Sequence, residues 1–439
     1  MIELPKEFIS RVQSDDFIST ELLFALQSPT PTSIRKHPNR EVLFEKMESV
    51  PWSSFGHYLM DRPAFTYDPH FHAGAYYPQE AGSMYLEQVF KGLTLPENPI
   101  VLDLCAAPGG KSTLLASMLD HKGILIANEI NRSRAHILSE NMSKWGYENT
   151  FVCNNNPSEF SFLEGQIDVL VIDAPCSGEG MFRKDPNSRM EWSINNTQQC
   201  ALRQGQILED VWPLIKEGGY LIYSTCTFNS NENEAQISPF LNDNSARPVE
   251  LIEFAGMKKD RIKCGYYFFP NQIKSEGFYI ACIQKTRPSN YKVALNHPNL
   301  KVGRPSQIAQ YLIGPSEIKY WQEEDKLFAT TPFAFSFYSL IKRLKILKKG
   351  IHVANFQKKG WTPAFDLVYS LNIKWNLPIK EVDLQTAILI LNGQSQLWDA
   401  PPNYYIVTYK NQAISMIKQL GRRFNNLHPL HWRIRHLPK

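Results

Sequence analysis

Between residues 98 and 287, apolar runs of strand length alternate with segments whose apolar residues recur at helical spacing. VLDL (101–104), GILIANE (123–129), FVCNN (151–155), DVLVIDAPC (168–176), GGYLIYSTC (218–226) and EGFYIACIQK (276–285) read as strands. Helices are predicted over 111–120, 132–145 and 197–216. Strands that are apolar throughout and alternate with helices imply a mostly parallel sheet covered on both faces, an α/β domain. Upstream, FISRVQ and FISTELLFALQ carry helical spacing before Pro29 and Pro31, so residues 1–70 are expected to be mostly helical. Downstream, the proline-punctuated stretch 287–305 reads as a linker into a region of mixed pattern. LQTAILIL (384–391) and NYYIVTYK (403–410) then predict a small α+β unit. The division expected is 1–70, 71–287, 288–380 and 381–439.

At 439 residues the chain is too long for one ordinary domain, and its 43% hydrophobic content argues against disorder. A net charge of +4 decides little, but its distribution is one-sided. From Tyr404 onward there is no acidic residue, while Lys410, Lys418, Arg422, Arg423, Arg433, Arg435 and Lys439 all fall there. Lys342, Arg343, Lys345, Lys348 and Lys349 form a second basic run. Such clusters are ordinarily solvated faces, and they are also the footprint of a phosphate-backbone partner. Seven cysteines without a Cys-x-x-Cys pair argue against structural zinc, so no metal is expected. The same cysteine usage and the polar first residues point to a reduced, cytoplasmic protein. No apolar run approaches the roughly 18 residues of a membrane span. Monomer is the default expectation.

Candidate chemistry begins at CAAPGGK (105–111), a glycine-rich turn between a strand and a helix. A phosphate-binding Gly-x-x-x-x-Gly-Lys-Ser/Thr loop would need glycine where Cys105 stands, and Gly-x-Gly-x-x-Gly is absent. What remains is a sharp Pro108-Gly109-Gly110 turn that lets a ligand approach the backbone. Glu129, at the end of the next strand, can accept both hydroxyls of a ribose. A ribose carboxylate without a phosphate cradle fits S-adenosylmethionine.

Cys176 and Cys226 end two strands beside that loop. A buried cysteine is ordinarily a small core hydrophobe, the reading given to Cys105, Cys153, Cys200, Cys264 and Cys282. Two thiols at neighbouring strand ends suggest covalent chemistry instead. Cytosine C5 becomes nucleophilic only after a thiolate adds to C6, and a carboxyl group near N3, here Asp173, can share the proton as charge develops.

In combination, DLCAAPGGKST, ANE, DAPCSGEGMFRKDP and YSTCTFNSNENE resemble the RNA cytosine-5 methyltransferases of the Nol/Nop/Sun family, over roughly residues 64–287. The resemblance implies a Rossmann-like methyltransferase sheet, S-adenosylmethionine as cofactor and an RNA substrate. It also implies Cys226 as nucleophile, Cys176 assisting release and Asp173 contacting the base. Cys105, Ala106, Ala107, Pro108, Gly109, Gly110, Lys111, Glu129 and Asp173 would line the cofactor site. Where that family has an aspartate toward the adenine, this chain has Asn156, whose amide oxygen can still accept a hydrogen bond. GEGMFRKDP, YYPQEAGSM and QLGRRFNNLHPLHWRIR are similar to the ribosomal RNA small-subunit methyltransferase F subfamily. That similarity implies a C-terminal PUA-like RNA-binding domain containing Arg422, Arg423, Arg433 and Arg435, and RNA contacts from residues 1–70. Arg183 and Lys184 are further candidates for RNA phosphates, or for ion pairs with Asp185 or Glu191. The rival readings are the same chemistry on transfer RNA and a non-catalytic RNA-binding assembly factor.

Overall fold

The computed structural model describes residues 3–42, 44, 47–287 and 301–438. Most of the 287–305 linker expectation therefore lies outside the described residues. Five strands form a parallel core: β1 (Ile100–Asp103), β2 (Ile124–Asn128), β3 (Thr150–Cys153), β4 (Ile167–Asp173) and β5 (Ile215–Thr225). Their spatial order is β5-β4-β1-β2-β3. β6 (Phe278–Lys285) adds antiparallel to β5, with Tyr279 opposite Thr225. The order reverses between β1 and β4, and in open α/β sheets ligands gather at the carboxyl ends beside such a switch point. Helices α1 (Gly110–Leu119), α2 (Arg132–Trp145) and α3 (Ile194–Val211) cover the two faces. α3 begins where Ser193 Oγ accepts from Asn196 N at 3.1 Å and stops before Pro213, earlier than the predicted 216.

The expectation of a mostly helical 1–70 is corrected beyond Ala25. Helices occupy Lys6–Ser14 and Glu21–Ala25, after which Thr32–Lys36, Met47–Ser49, Gly56–Leu59 and Tyr76–Pro78 form a four-stranded antiparallel sheet. The central strand gave no period-2 signal because both its faces are buried, one of them by polar residues. Ile34 packs into a small core, while Ser33 Oγ donates to the Gln79 carbonyl and Arg35 reaches Thr113 of the α/β domain.

Residues 301–378 are likewise structured rather than simply connecting. Five antiparallel strands make a sheet of their own. The helix Pro332–Ile341 packs into the same core as β2 and β3, and Ile346–Lys349 extends the main sheet antiparallel to β3. From Ile379, four strands and the helix Leu384–Leu391 form the C-terminal unit.

Candidate active site

The two cysteines of the DAPC and STC segments stand side by side. Asp173 pairs in register with Ser224, so the residues after each strand turn over the same edge of the sheet. Cys176 Sγ lies 3.2 Å from Cys226 Sγ, and the Cys226 N–H donates to Cys176 Sγ at 3.4 Å. Both are free thiols, half-buried. The neighbouring Cys226 sulfur, then burial, push the Cys176 thiol well above the ordinary thiol range. A thiolate at Cys176 is thereby disfavoured.

The loops that carry these thiols are clamped by buried carboxylates. Glu232 accepts from Ser177 N at 2.8 Å, Ser177 Oγ at 2.6 Å and Gln204 Nε2 at 3.2 Å. Glu179 receives the Phe228 N–H, Trp192 Nε1 and Arg11. The Gly180 N–H donates to the Cys226 carbonyl at 2.8 Å, and a Cβ at that glycine would sit 2.4 Å from the Gly277 carbonyl oxygen. A larger residue could not enter this turn.

One cavity of about 670 Å³ opens onto both sulfurs. Its walls include Cys105, Ala107, Glu129, Pro157, Asp173, Cys176 and Cys226. A smaller one of about 160 Å³ shares Cys105, Ala107 and Asp173 and adds Ala106, Pro108, Gly110 and Lys111. Asp173, between the two, accepts from Ser224 Oγ at 2.8 Å and is paired with Lys111 Nζ at 2.8 Å. Lys111 also lies 4.9 Å from the centre of the Phe278 ring. Glu129 is buried; its Oε1 accepts the Asn131 N–H and its Oε2 lies 3.5 Å from Arg134. Beneath the loop, Asp103 is fully buried. Ser112 Oγ donates to its Oδ2 at 2.6 Å, Oδ1 has no partner, and burial pushes the carboxyl up to about 7.

The remaining sequence candidates are not drawn into these walls. Gly109 caps α1 at φ +118°, and its open side faces Leu138 and Asn141. Asn156 is exposed with its N–H donating to Glu159 at 2.6 Å, and Pro157 beside it reaches the cavity. Arg183 donates to the carbonyls of Pro29 and Ser275, and Lys184 pairs with Glu276 rather than with Asp185 or Glu191. Arg422, Arg423 and Arg435 are exposed on the C-terminal unit, whereas Arg433 is half-buried and donates to the His428 carbonyl. The basic run at 342–349 is not a free stripe. Lys348 is buried against Thr150 Oγ1 and the Gly350 carbonyl, Lys349 pairs with Glu323, and Lys345 donates to Asn154. Sequence reasoning missed Arg203 and Ile207 on the cavity wall, Glu232, and the Lys111–Asp173 pair. Only the spacing of Arg203 and Ile207, one turn apart on α3, could have flagged a shared face.

With this geometry in hand, likeness to known proteins can be set beside it. The family model described as 16S rRNA methyltransferase RsmB/F matches residues 91–284. The N-terminal domain of 16S rRNA methyltransferase RsmF matches 4–81, and the methyltransferase RsmF PUA domain matches 379–434. The ribosomal RNA small subunit methyltransferase F of Escherichia coli (strain SE11) is 30% identical over 381 residues, covering 81% of this chain and 78% of its own length. The protein of that name from Shigella boydii serotype 4 matches to the same extent. Among solved structures, a methyltransferase homolog protein from Pyrococcus horikoshii is 26% identical with a TM-score of 0.53, covering 61% of this chain and 90% of that one. NSun6 from Pyrococcus horikoshii with SFG shares the fold at a TM-score of 0.56 and 20% identity, over 65% of this chain and 99% of that one.

Proposed function

The chain belongs to the RsmB/F family of 16S ribosomal RNA methyltransferases, and from that premise we propose that it methylates C5 of a cytosine in small-subunit ribosomal RNA through a transient bond between Cys226 and C6. The observation that carries this reading is the pair of thiols 3.2 Å apart on the wall of the cavity that also holds the cofactor loop, Glu129 and Asp173. The cavity residues fit S-adenosylmethionine. A buried carboxylate with free lone pairs at Glu129 suits a ribose, Ile130 and Pro157 offer apolar surface for an adenine, and the open turn at 105–111 brings backbone close. When bound, S-adenosylmethionine supplies an electrophilic methyl group.

The protein's own residues account for the remaining steps. The Cys226 thiolate adds to C6, leaving C5 as an enamine carbon, while Asp173, held by Lys111 and Ser224, faces N3 as charge builds on the ring. Once C5 carries the methyl, a base removes its proton, the C5–C6 double bond re-forms and the Cys226 sulfur leaves. Cys176 keeps its proton throughout and stabilises the departing Cys226 thiolate as a hydrogen-bond donor. The base must leave the RNA stack to reach these groups.

The test is transfer of tritiated methyl from S-adenosylmethionine to naked small-subunit RNA, assembled subunits and transfer RNA. Wild-type protein is expected to label the ribosomal pool at cytosine C5, and Cys226→Ala to fall to background. Cys176→Ala should accumulate a covalent RNA adduct that migrates slowly on a denaturing gel. An adduct from Cys226→Ala instead would reverse the two roles, and label confined to transfer RNA would replace the substrate class.

A further inference from the structure

Residues 301–378 fall outside the three matched ranges. Their sheet runs Lys301–Val302, Lys319–Glu323, Lys326–Thr330, Ile351–Gln357, Gly360–Pro363 in spatial order. Val302 from the first strand and Trp361 from the last nevertheless line one cavity of about 430 Å³, so the sheet curls until its two edges face each other across that space. The volume lies within the roughly 300–1,000 Å³ of ordinary ligand pockets, and the mouth of a curled sheet is a usual place for one.

We propose that this mouth binds one unpaired RNA nucleotide, its base stacked on Phe356 and Trp361 and its backbone held by Lys358 and Lys359. The inference rests on the ribosomal RNA substrate proposed above. Phe356 and Trp361 stand opposite each other across a hairpin, with ring centres 5.1 Å apart. Phe356 is 49% exposed, which leaves ring surface open for a base to stack on. Trp361 is half-buried on the small core formed by Leu327, Ile351 and Val353, so the platform beneath a stacked base is fixed before binding. The hairpin tip carries Lys358 and Lys359, both exposed and without an ion pair among the described residues. Gln307 and Gln322 add amides to the wall; Gln322 Nε2 already donates to the Glu324 carbonyl at 2.8 Å, which leaves its amide oxygen to accept from a base edge. Glu323 is engaged by Lys349 and by Tyr338 Oη, and the exposed Glu324 and Asp325, the latter accepting the Phe356 N–H on its carbonyl, are the carboxylates that Lys358 and Lys359 offset. Aromatic rings flanked by free lysines and amides are the composition that binds single-stranded RNA by stacking and charge.

The experiment uses the full-length protein, a short single-stranded oligoribonucleotide of small-subunit sequence carrying 5-iodouridine, and the methyl-transfer assay. Ultraviolet light is expected to crosslink the oligonucleotide to the peptide containing Phe356 and Trp361. Phe356→Ala should raise the Kd for the oligonucleotide and the KM for RNA about 5- to 100-fold, leaving kcat and the KM for S-adenosylmethionine unchanged. Phe356→Tyr should restore both. Replacing Lys358 and Lys359 with alanine should reduce the slope of log affinity against log salt by about 1.4. Wild-type affinity in Phe356→Ala, or crosslinks mapping only elsewhere, would overturn the site while leaving the methylation reading intact. Crosslinks at the hairpin from a protein that methylates no ribosomal cytosine would uphold the site and sink the methylation reading.

Discussion

At the scale of single residues, the surroundings shift two groups at the site, Cys176 and Asp103, toward their protonated forms. A thiolate at Cys176 would face the second sulfur and a buried surround, and both raise its pKa. Asp103 gives a second, independent consequence. Its folded-state pKa of about 7 stands above the ordinary 3.8, so the folded protein binds the proton more tightly than the unfolded chain does. Stability from this group is complete below about pH 4 and drains away as pH rises toward 7, by on the order of 4 kcal/mol. Asp103→Asn carries no such penalty. Urea midpoints of the two proteins without cofactor should therefore diverge between pH 5 and pH 8, with the variant the more stable at pH 8; parallel midpoints would refute the raised pKa. The thiols, the glycine-rich turn and Glu129 were legible in the sequence because each is a chemically distinctive group at or just after the end of an apolar strand. Glu232 and the Lys111–Asp173 pair were not, since their roles depend on partners far away in the chain.

At the scale of elements, the N-terminal sheet braces the cofactor turn. Arg35, 2% exposed, donates to Gln79 Oε1 at 2.8 Å, Thr113 Oγ1 at 2.6 Å and the Gly110 carbonyl at 3.2 Å, with its guanidinium 4.6 Å from the Trp145 ring centre. Burial lowers its pKa to about 10, which leaves it cationic at neutral pH. It thus ties a strand at residues 32–36 to the first turn of α1. Arg35→Met keeps the bulk and leaves three acceptors short of a donor. The expected loss is about 2–4 kcal/mol by urea unfolding, together with a higher KM for S-adenosylmethionine. An unchanged KM would confine Arg35 to a structural role. This strand escaped sequence reading because Ile34 is the single apolar residue of Thr32–Lys36, too few to show the alternation that marks a half-exposed strand.

At the scale of the whole molecule, the catalytic sheet is finished by a segment far along the chain. Ile346–Lys349 covers the edge of β3, Phe151 stacks on Tyr338 at 5.7 Å, and Phe335, Phe337 and Ile341 enter the core beside β2 and β3. A chain ending at Arg287 would expose that edge and those apolar side chains. It is expected to aggregate where the full chain stays monodisperse, and a soluble, folded 1–287 fragment by size exclusion and circular dichroism would refute this. Arg40 adds to the same integration, its buried guanidinium donating to the carbonyls of Ala73, Gly74 and Tyr369. Among the described residues no helix is long and apolar enough to cross a membrane. The sequence by itself determined the order of strands and helices from 98 to 287, the cofactor turn and the two cysteines, because local periodicity and residue chemistry carry that information. Only the tertiary structure decided that the sulfurs meet at 3.2 Å, that Lys345, Lys348 and Lys349 are spent on internal contacts, and that 332–349 belongs to the catalytic core. Those outcomes depend on packing between distant segments, from the 50-residue separation of the two sulfurs to the 198 residues between Lys348 and Thr150, which no local pattern encodes.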